Sequence, residues 1–211
     1  EFNTYGFGEF YYRNNSHGFR SDEFDNDEEV RILYSGCSIT EGIGLPIEHT
    51  WPSFFNIFLS QEIGKPVKLF NTGIGGSSID AIVRTVYLTI KKGLLKPDVV
   101  LMLLPSISRS EIFYQDRNGN TQIYNFIATY DKYSDPQLRA LHDAQIKNYL
   151  PVQRVHDTFK SLLMLKEFLD SRKIPFYFQT WDLTLIHFDK GQADEFSNIL
   201  KKHSPVELRK H

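Results

Sequence analysis

The chain of 211 residues contains a single cysteine, Cys37, so no disulfide can form within it. That count excludes a small fold stapled by disulfides and leaves the redox compartment open. No stretch approaches the roughly 20 apolar residues that a membrane helix needs, and no charged-then-apolar signal peptide is present. We therefore expect no membrane span. Localisation stays open between a cytoplasmic protein and a virion- or surface-associated one.

Charge of one sign and metal-ligand clusters are also lacking. The 24 Lys and Arg residues nearly balance the 26 Asp and Glu residues, and the formal net charge is −2. Without a basic stripe we expect no nucleic-acid partner. No His, Asp or Glu cluster has the spacing of metal ligands, and no glycine-rich turn is followed by the lysine of a phosphate-binding loop. We expect neither a metal nor a cofactor.

The chain is rich in apolar residues, which make up 41% of it, and aromatic residues make up 14% of it. This composition predicts one packed domain over 1–211, with an irregular lead-in over 1–29. Strand patterns alternate with helix patterns, which indicates an α/β fold with a mostly parallel sheet flanked by helices. The predicted strands are 31–34, 67–71, 99–104 and 174–181, and the predicted helices are 51–59, 79–92, 135–171 (with a break at Pro151) and 193–202.

One segment interrupts the alternation. Residues 112–114 and 122–126 flank Asn118-Gly119, a pair that favours a tight hairpin turn. We expect this β-hairpin and the following helical sequence to form an insertion over 111–172, beside the strand ends where α/β folds bind ligands. Its aromatic residues are half-buried core residues or a surface that stacks on sugar rings.

Ser38 is the leading candidate nucleophile. It follows the first predicted strand in Gly36-Cys37-Ser38-Ile39-Thr40, where a sharp turn would hold its hydroxyl out of the sheet. A serine that only caps the next helix is the alternative. After the second strand, Asn71 to Ser78 forms another glycine-rich turn, whose exposed N–H groups could hold an oxyanion.

These two turns resemble the first two sequence blocks of the SGNH (GDSL-type) hydrolases, with Cys37 at the position of the family's aspartate. The resemblance covers roughly 15–110 and 174–203. It implies a three-layer α/β/α, flavodoxin-like fold with Ser38 as nucleophile. It also implies that the backbone N–H groups of Ser38 and Gly76 form the oxyanion hole.

The third and last blocks depart from the family pattern. Ile107 stands where the family has an oxyanion-hole asparagine, and Ser106, Ser108 or Arg109 could substitute for it. The Asp-x-x-His that supplies the family's base is absent, and His187 is the best substitute present. We expect the family's final strand and its base to lie beyond residue 211, in a longer parent protein.

The resemblance implies a serine esterase or acylhydrolase that cleaves a small acyl ester, for example an O-acetyl carbohydrate, through a Ser38 acyl-enzyme. The degraded third block and missing base favour a second hypothesis from another class. It is a catalytically inactive binding or structural module that keeps the fold and cleft, for example one that binds carbohydrate on a surface or virion. A histidine beside Ser38 would discriminate between the two. The oligomeric state is open.

Overall fold

A parallel four-stranded sheet and a separate β-hairpin form the framework of the protein. The computed structural model describes residues 10–28, 30–127 and 135–181. The strands are β1 (Ile32–Gly36), β2 (Phe70–Asn71), β3 (Val99–Leu104), β4 (Ser110–Gln115), β5 (Thr121–Phe126) and β6 (Phe176–Thr180). The helices are α1 (Ser38–Glu41), α2 (Trp51–Ile63), α3 (Ile79–Lys91), α4 (Pro136–Lys147) and α5 (Pro151–Asp170).

The sheet has the order β2-β1-β3-β6, and all its neighbouring strands are parallel. With the hairpin strands left out, this is the 2-1-3-4 order of flavodoxin-like folds. Leu33 pairs with Phe70 on one side and Val100 on the other. Because the strands are parallel, their carboxyl ends meet at one edge, and the turns that begin at Cys37, Thr72 and Pro105 all leave the sheet there. The predicted α/β class is confirmed.

Helices cover both faces of the sheet, which gives three layers. On one face, α3 and α5 enclose the main core, which includes Val86 and Leu165 from the helices and Leu33 and Met102 from the strands. On the other face, Tyr34 packs with Trp51 of α2 in a second cluster. A continuous apolar run such as 99–104 is typical of a strand that is buried on both faces. Instead, alternate residues of β3 are buried on the α3/α5 side and half-buried on the other.

The hairpin and α4 lie between β3 and β6 in the chain. Strands β4 and β5 pair with each other, and Tyr124 and Phe126 form a small cluster with Leu138 of α4. The insertion over 111–172 stays a prediction, and within this segment α5 packs against α3 in the main core. Periodicity predicted that a helix would begin near Pro151, but not which layer it would join.

The described residues do not include the predicted helix at 193–202, the first part of the lead-in or His187. Among the helices that the structure describes, none is both long and apolar enough to cross a membrane. Thr50 is the N-cap residue of α2. Its hydroxyl donates to the carbonyl of Ile47 rather than accepting from the helix.

Candidate active site

Ser38 is the first residue of α1, directly after the turn that leaves β1. Cys37 is extended, at φ −99° and ψ −151°, and its side chain is fully buried. Ser38 is half-buried. Its hydroxyl has one hydrogen-bonding neighbour among the described residues, the Sγ of Cys37 at 4.0 Å. Cys37 is therefore a packing residue of the core, and within the described segments the Ser38 hydroxyl has no strong hydrogen-bond partner.

Gly36 is required by the packing of this turn. A Cβ at Gly36 would lie 2.0 Å from Oγ1 of Thr40 and 2.8 Å from the carbonyl oxygen of Leu103. The same Thr40 hydroxyl accepts a hydrogen bond from Nε1 of Trp51 at 3.2 Å. The turn is therefore pressed against β3 and α2, and its shape depends on a residue without a side chain.

The buried side chain of Asn71 joins the two glycine-rich turns. Its Nδ2 donates to the carbonyl of Thr40 at 2.7 Å, and its Oδ1 accepts from the N–H of Gly73 at 2.8 Å. A Cβ at Gly73 would lie 2.6 Å from the backbone nitrogen of Glu41, so the two backbones are in close contact. The turn after β1 and the turn after β2 are thus locked together at the carboxyl edge of the sheet.

Gly75 and Gly76 complete the second turn. The N–H of Gly75 donates to the Glu41 carboxylate at 2.5 Å. Gly76 has φ +79°, a conformation that favours glycine. Within the described part of the chain, the backbone N–H groups of Gly76 and Ser38 have no hydrogen-bond acceptor. Two unengaged backbone donors therefore flank this edge of the sheet, one on each turn.

Arg20 anchors the loop that follows α1. Its guanidinium is buried and donates to the carbonyls of Gly42 at 2.6 Å and Leu45 at 2.7 Å. Burial is the main cause that lowers the pKa of Arg20 from its ordinary value. Arg20 was not predicted as a site residue from the sequence, where it is one of two arginines, with Arg13, in the lead-in over 1–29.

The loop after β3 does not bring an obvious donor to Ser38. Ile107 is buried in the main core, so its side chain points away from the sheet edge. The hydroxyls of Ser106 and Ser108 lie 2.9 Å apart and bond to each other. The guanidinium of Arg109 lies over the Trp181 ring, and its Nε and Nη1 are buried without a hydrogen-bond partner.

No histidine in the described segments bonds to Ser38. His142 is buried beside Phe126, and His156 is 3.5 Å from the carboxylate of its neighbour on α5. His187, the predicted base, lies outside the described residues. Of the predicted site residues, the structure places Ser38 and Gly76 on adjoining turns, which the Asn71 side chain links.

No protein-family model matches the chain, and no curated protein sequence is similar to it. Solved structures similar to it include AlinE4, an SGNH-hydrolase family esterase, with 15% identity over 87% of this chain and 86% of that one (TM-score 0.44). A serine-to-alanine variant of AlinE4 is 16% identical over 83% and 73% (TM-score 0.45). A protein of Bacteroides fragilis NCTC 9343 assigned as an acylhydrolase is 16% identical over 85% and 64% (TM-score 0.35).

Proposed function

We propose that this chain is a serine esterase or acylhydrolase of the SGNH type, with Ser38 as its nucleophile. The observation that carries the proposal is the pairing of a weakly bonded Ser38 hydroxyl with two unengaged backbone donors, the N–H groups of Ser38 and Gly76. Such donors stabilise the oxyanion that forms during acyl transfer. The Asn71 link supports the proposal, because it fixes the turn of Ser38 against the turn of Gly76 before substrate binds.

In the proposed reaction, Ser38 Oγ attacks the carbonyl carbon of a small acyl ester and transfers its proton to a base. The carbonyl oxygen becomes an oxyanion, which accepts hydrogen bonds from the N–H groups of Ser38 and Gly76. The tetrahedral intermediate collapses, the alcohol leaves with the proton from the base, and an acyl-enzyme remains. Water, deprotonated by the same base, then attacks the acyl-enzyme and releases the acid and free Ser38.

A serine hydroxyl requires a nearby imidazole to become an effective nucleophile. Within this chain His187 is the candidate for that base, and the alternative is a base that lies beyond residue 211. Ser106, Ser108 and Arg109 stay candidates for a further oxyanion donor. Arg109 is the strongest of the three, because the two serine hydroxyls already bond to each other. An acetyl ester is the simplest substrate of the proposed class, and O-acetyl carbohydrates are the natural compounds to test within it.

Hydrolysis of p-nitrophenyl acetate by wild type, Ser38→Ala and Ser171→Ala tests this function. Ser171 is an exposed serine at the end of α5 and serves as the matched control. We expect turnover in wild type and Ser171→Ala and none above background in Ser38→Ala. His187→Gln should lose activity that added imidazole partly restores. Turnover that persists in Ser38→Ala would refute the proposal.

The second candidate function is a non-catalytic binding module with the same fold. It is favoured by the burial of Ile107 in the core, where the resemblance implies an oxyanion donor. Under this hypothesis, wild type and Ser38→Ala are equally inactive on acetyl esters, and both bind the same carbohydrate with equal affinity. Isothermal titration with acetylated and deacetylated oligosaccharides measures that binding directly.

A further inference from the structure

The β4–β5 hairpin is tied to the helix that begins just after the Gly76 turn. Arg84 of α3 makes two hydrogen bonds to the Glu111 carboxylate of β4, at 2.5 and 2.7 Å. The Glu111 side chain is 7% exposed, whereas the Arg84 side chain is 43% exposed and reaches the carboxylate from the surface of α3. Two parallel hydrogen bonds to one carboxylate fix the orientation of the hairpin relative to α3.

This attachment brings Asn125 of β5 next to Gly76. Asn125 is the direct cross-strand partner of Glu111, so both side chains lie on the same face of the hairpin. A Cβ on Gly76 would have Asn125 Nδ2 as its nearest neighbour, at 4.0 Å. In the residues that the structure describes, the Asn125 carboxamide makes no hydrogen bond. An available side-chain N–H donor therefore stands beside an available backbone N–H donor.

The loop after β3 offers no comparable side-chain donor for an oxyanion. Ile107 is in the core, and Ser106 and Ser108 bond to each other. We propose that Asn125 Nδ2 donates a hydrogen bond to the same carbonyl oxygen as the Gly76 N–H, and so supplies the side-chain donor of the oxyanion hole from the hairpin. This inference rests on the esterase function proposed above and assigns one of its catalytic residues.

Steady-state hydrolysis of p-nitrophenyl acetate by Asn125→Ala and Asn125→Asp tests the inference. Removing one oxyanion donor lowers kcat by about 10²–10³-fold. We expect that loss in Asn125→Ala with KM within about threefold of wild type, because the bond strengthens in the transition state. Asn125→Asp should be at least as slow, since its carboxylate repels the oxyanion. Asn118→Ala, on the exposed hairpin turn, is the matched control and should keep wild-type kcat.

Parallel variants separate the ways in which the inference can fail. If Ser38→Ala is inactive while Asn125→Ala keeps wild-type kcat, the assignment of Asn125 is wrong and the esterase function stands. A change in KM alone also overturns it, as would a 10²-fold kcat loss seen only in Arg109→Met. If wild type shows no Ser38-dependent turnover, the esterase function and this inference fall together. Thermal unfolding of each variant checks that it is folded at the assay temperature.

Discussion

Replacing Asn71 with alanine should destabilise the protein and disable the candidate site together. Asn71 is 1% exposed, and its carboxamide is fully engaged: Nδ2 with the Thr40 carbonyl and Oδ1 with the Gly73 N–H. The variant leaves both of these buried backbone groups without a partner. Each unsatisfied group costs about 1–3 kcal/mol, so we expect a loss of about 2–6 kcal/mol in the free energy of unfolding.

Asn56 of α2 offers a matched control away from the two glycine-rich turns. It is also buried, its Oδ1 accepts from the Tyr34 hydroxyl, and its Nδ2 donates to the Lys68 carbonyl at 3.0 Å. Asn56→Ala removes a similar pair of bonds but does not touch either glycine-rich turn. We therefore expect a similar loss in the free energy of unfolding in both variants. Esterase activity per folded molecule should fall only in Asn71→Ala.

The assay combines urea unfolding with ester hydrolysis at a temperature where both variants are more than about 95% folded. Activity is compared per folded molecule. If Asn71→Ala unfolds at the wild-type urea midpoint, the two hydrogen bonds of Asn71 do not stabilise the fold. If Asn71→Ala and Asn56→Ala have the same activity per folded molecule, the link between the two turns has no role in the site.

Three further expectations follow from single residues. Gly36→Ala places a Cβ 2.0 Å from Thr40 Oγ1, and chemical denaturation should show a loss of about 3 kcal/mol or more. The bidentate hydrogen bonds from Arg31 hold the pKa of Asp98 below its ordinary value, so this pair stabilises the fold above about pH 4 and ceases to do so as pH falls through the folded-state pKa. Asp98→Asn should therefore flatten the acid limb of a stability-versus-pH curve. Arg109→Met removes a half-buried guanidinium whose Nε and Nη1 have no hydrogen-bond partner among the described residues, and its melting temperature should equal or exceed that of wild type.

Local sequence patterns predicted much of the framework. The expected helix at 79–92 is observed at Ile79–Lys91, and Asn118-Gly119 does form the tip of a hairpin. These elements are encoded by nearby residues: a serine N-cap with an apolar period for the helix, and a turn pair that tolerates positive φ for the hairpin. The turn that carries Ser38 was predicted for the same reason.

Contacts between distant segments could not be predicted in this way. The half-exposed face of β3 was missed because a continuous apolar run does not indicate how fully each face is covered. The sequence does not indicate that α5 joins the main core, since its apolar period fits either layer. Asn125 and Gly76 are 49 positions apart in the sequence, and no local pattern predicts that they lie close together. The sequence offered one signal for the position of Asn125, the alternating strand pattern that places it opposite Glu111.

The candidate site has two parts, the glycine-rich turns and the hairpin, and the contribution of the hairpin can be removed separately. Ser38 and Gly76 are held by the turns themselves, whereas Asn125 is held by the hairpin, which the ion pair between Arg84 and Glu111 links to α3. Glu111→Gln should leave the Ser38 turn intact but loosen the hairpin, and so lower kcat through Asn125. In the double variant with Asn125→Ala, the two losses should not add, because both act through one hydrogen bond. Additive losses in kcat would mean that the ion pair serves the site by some other path.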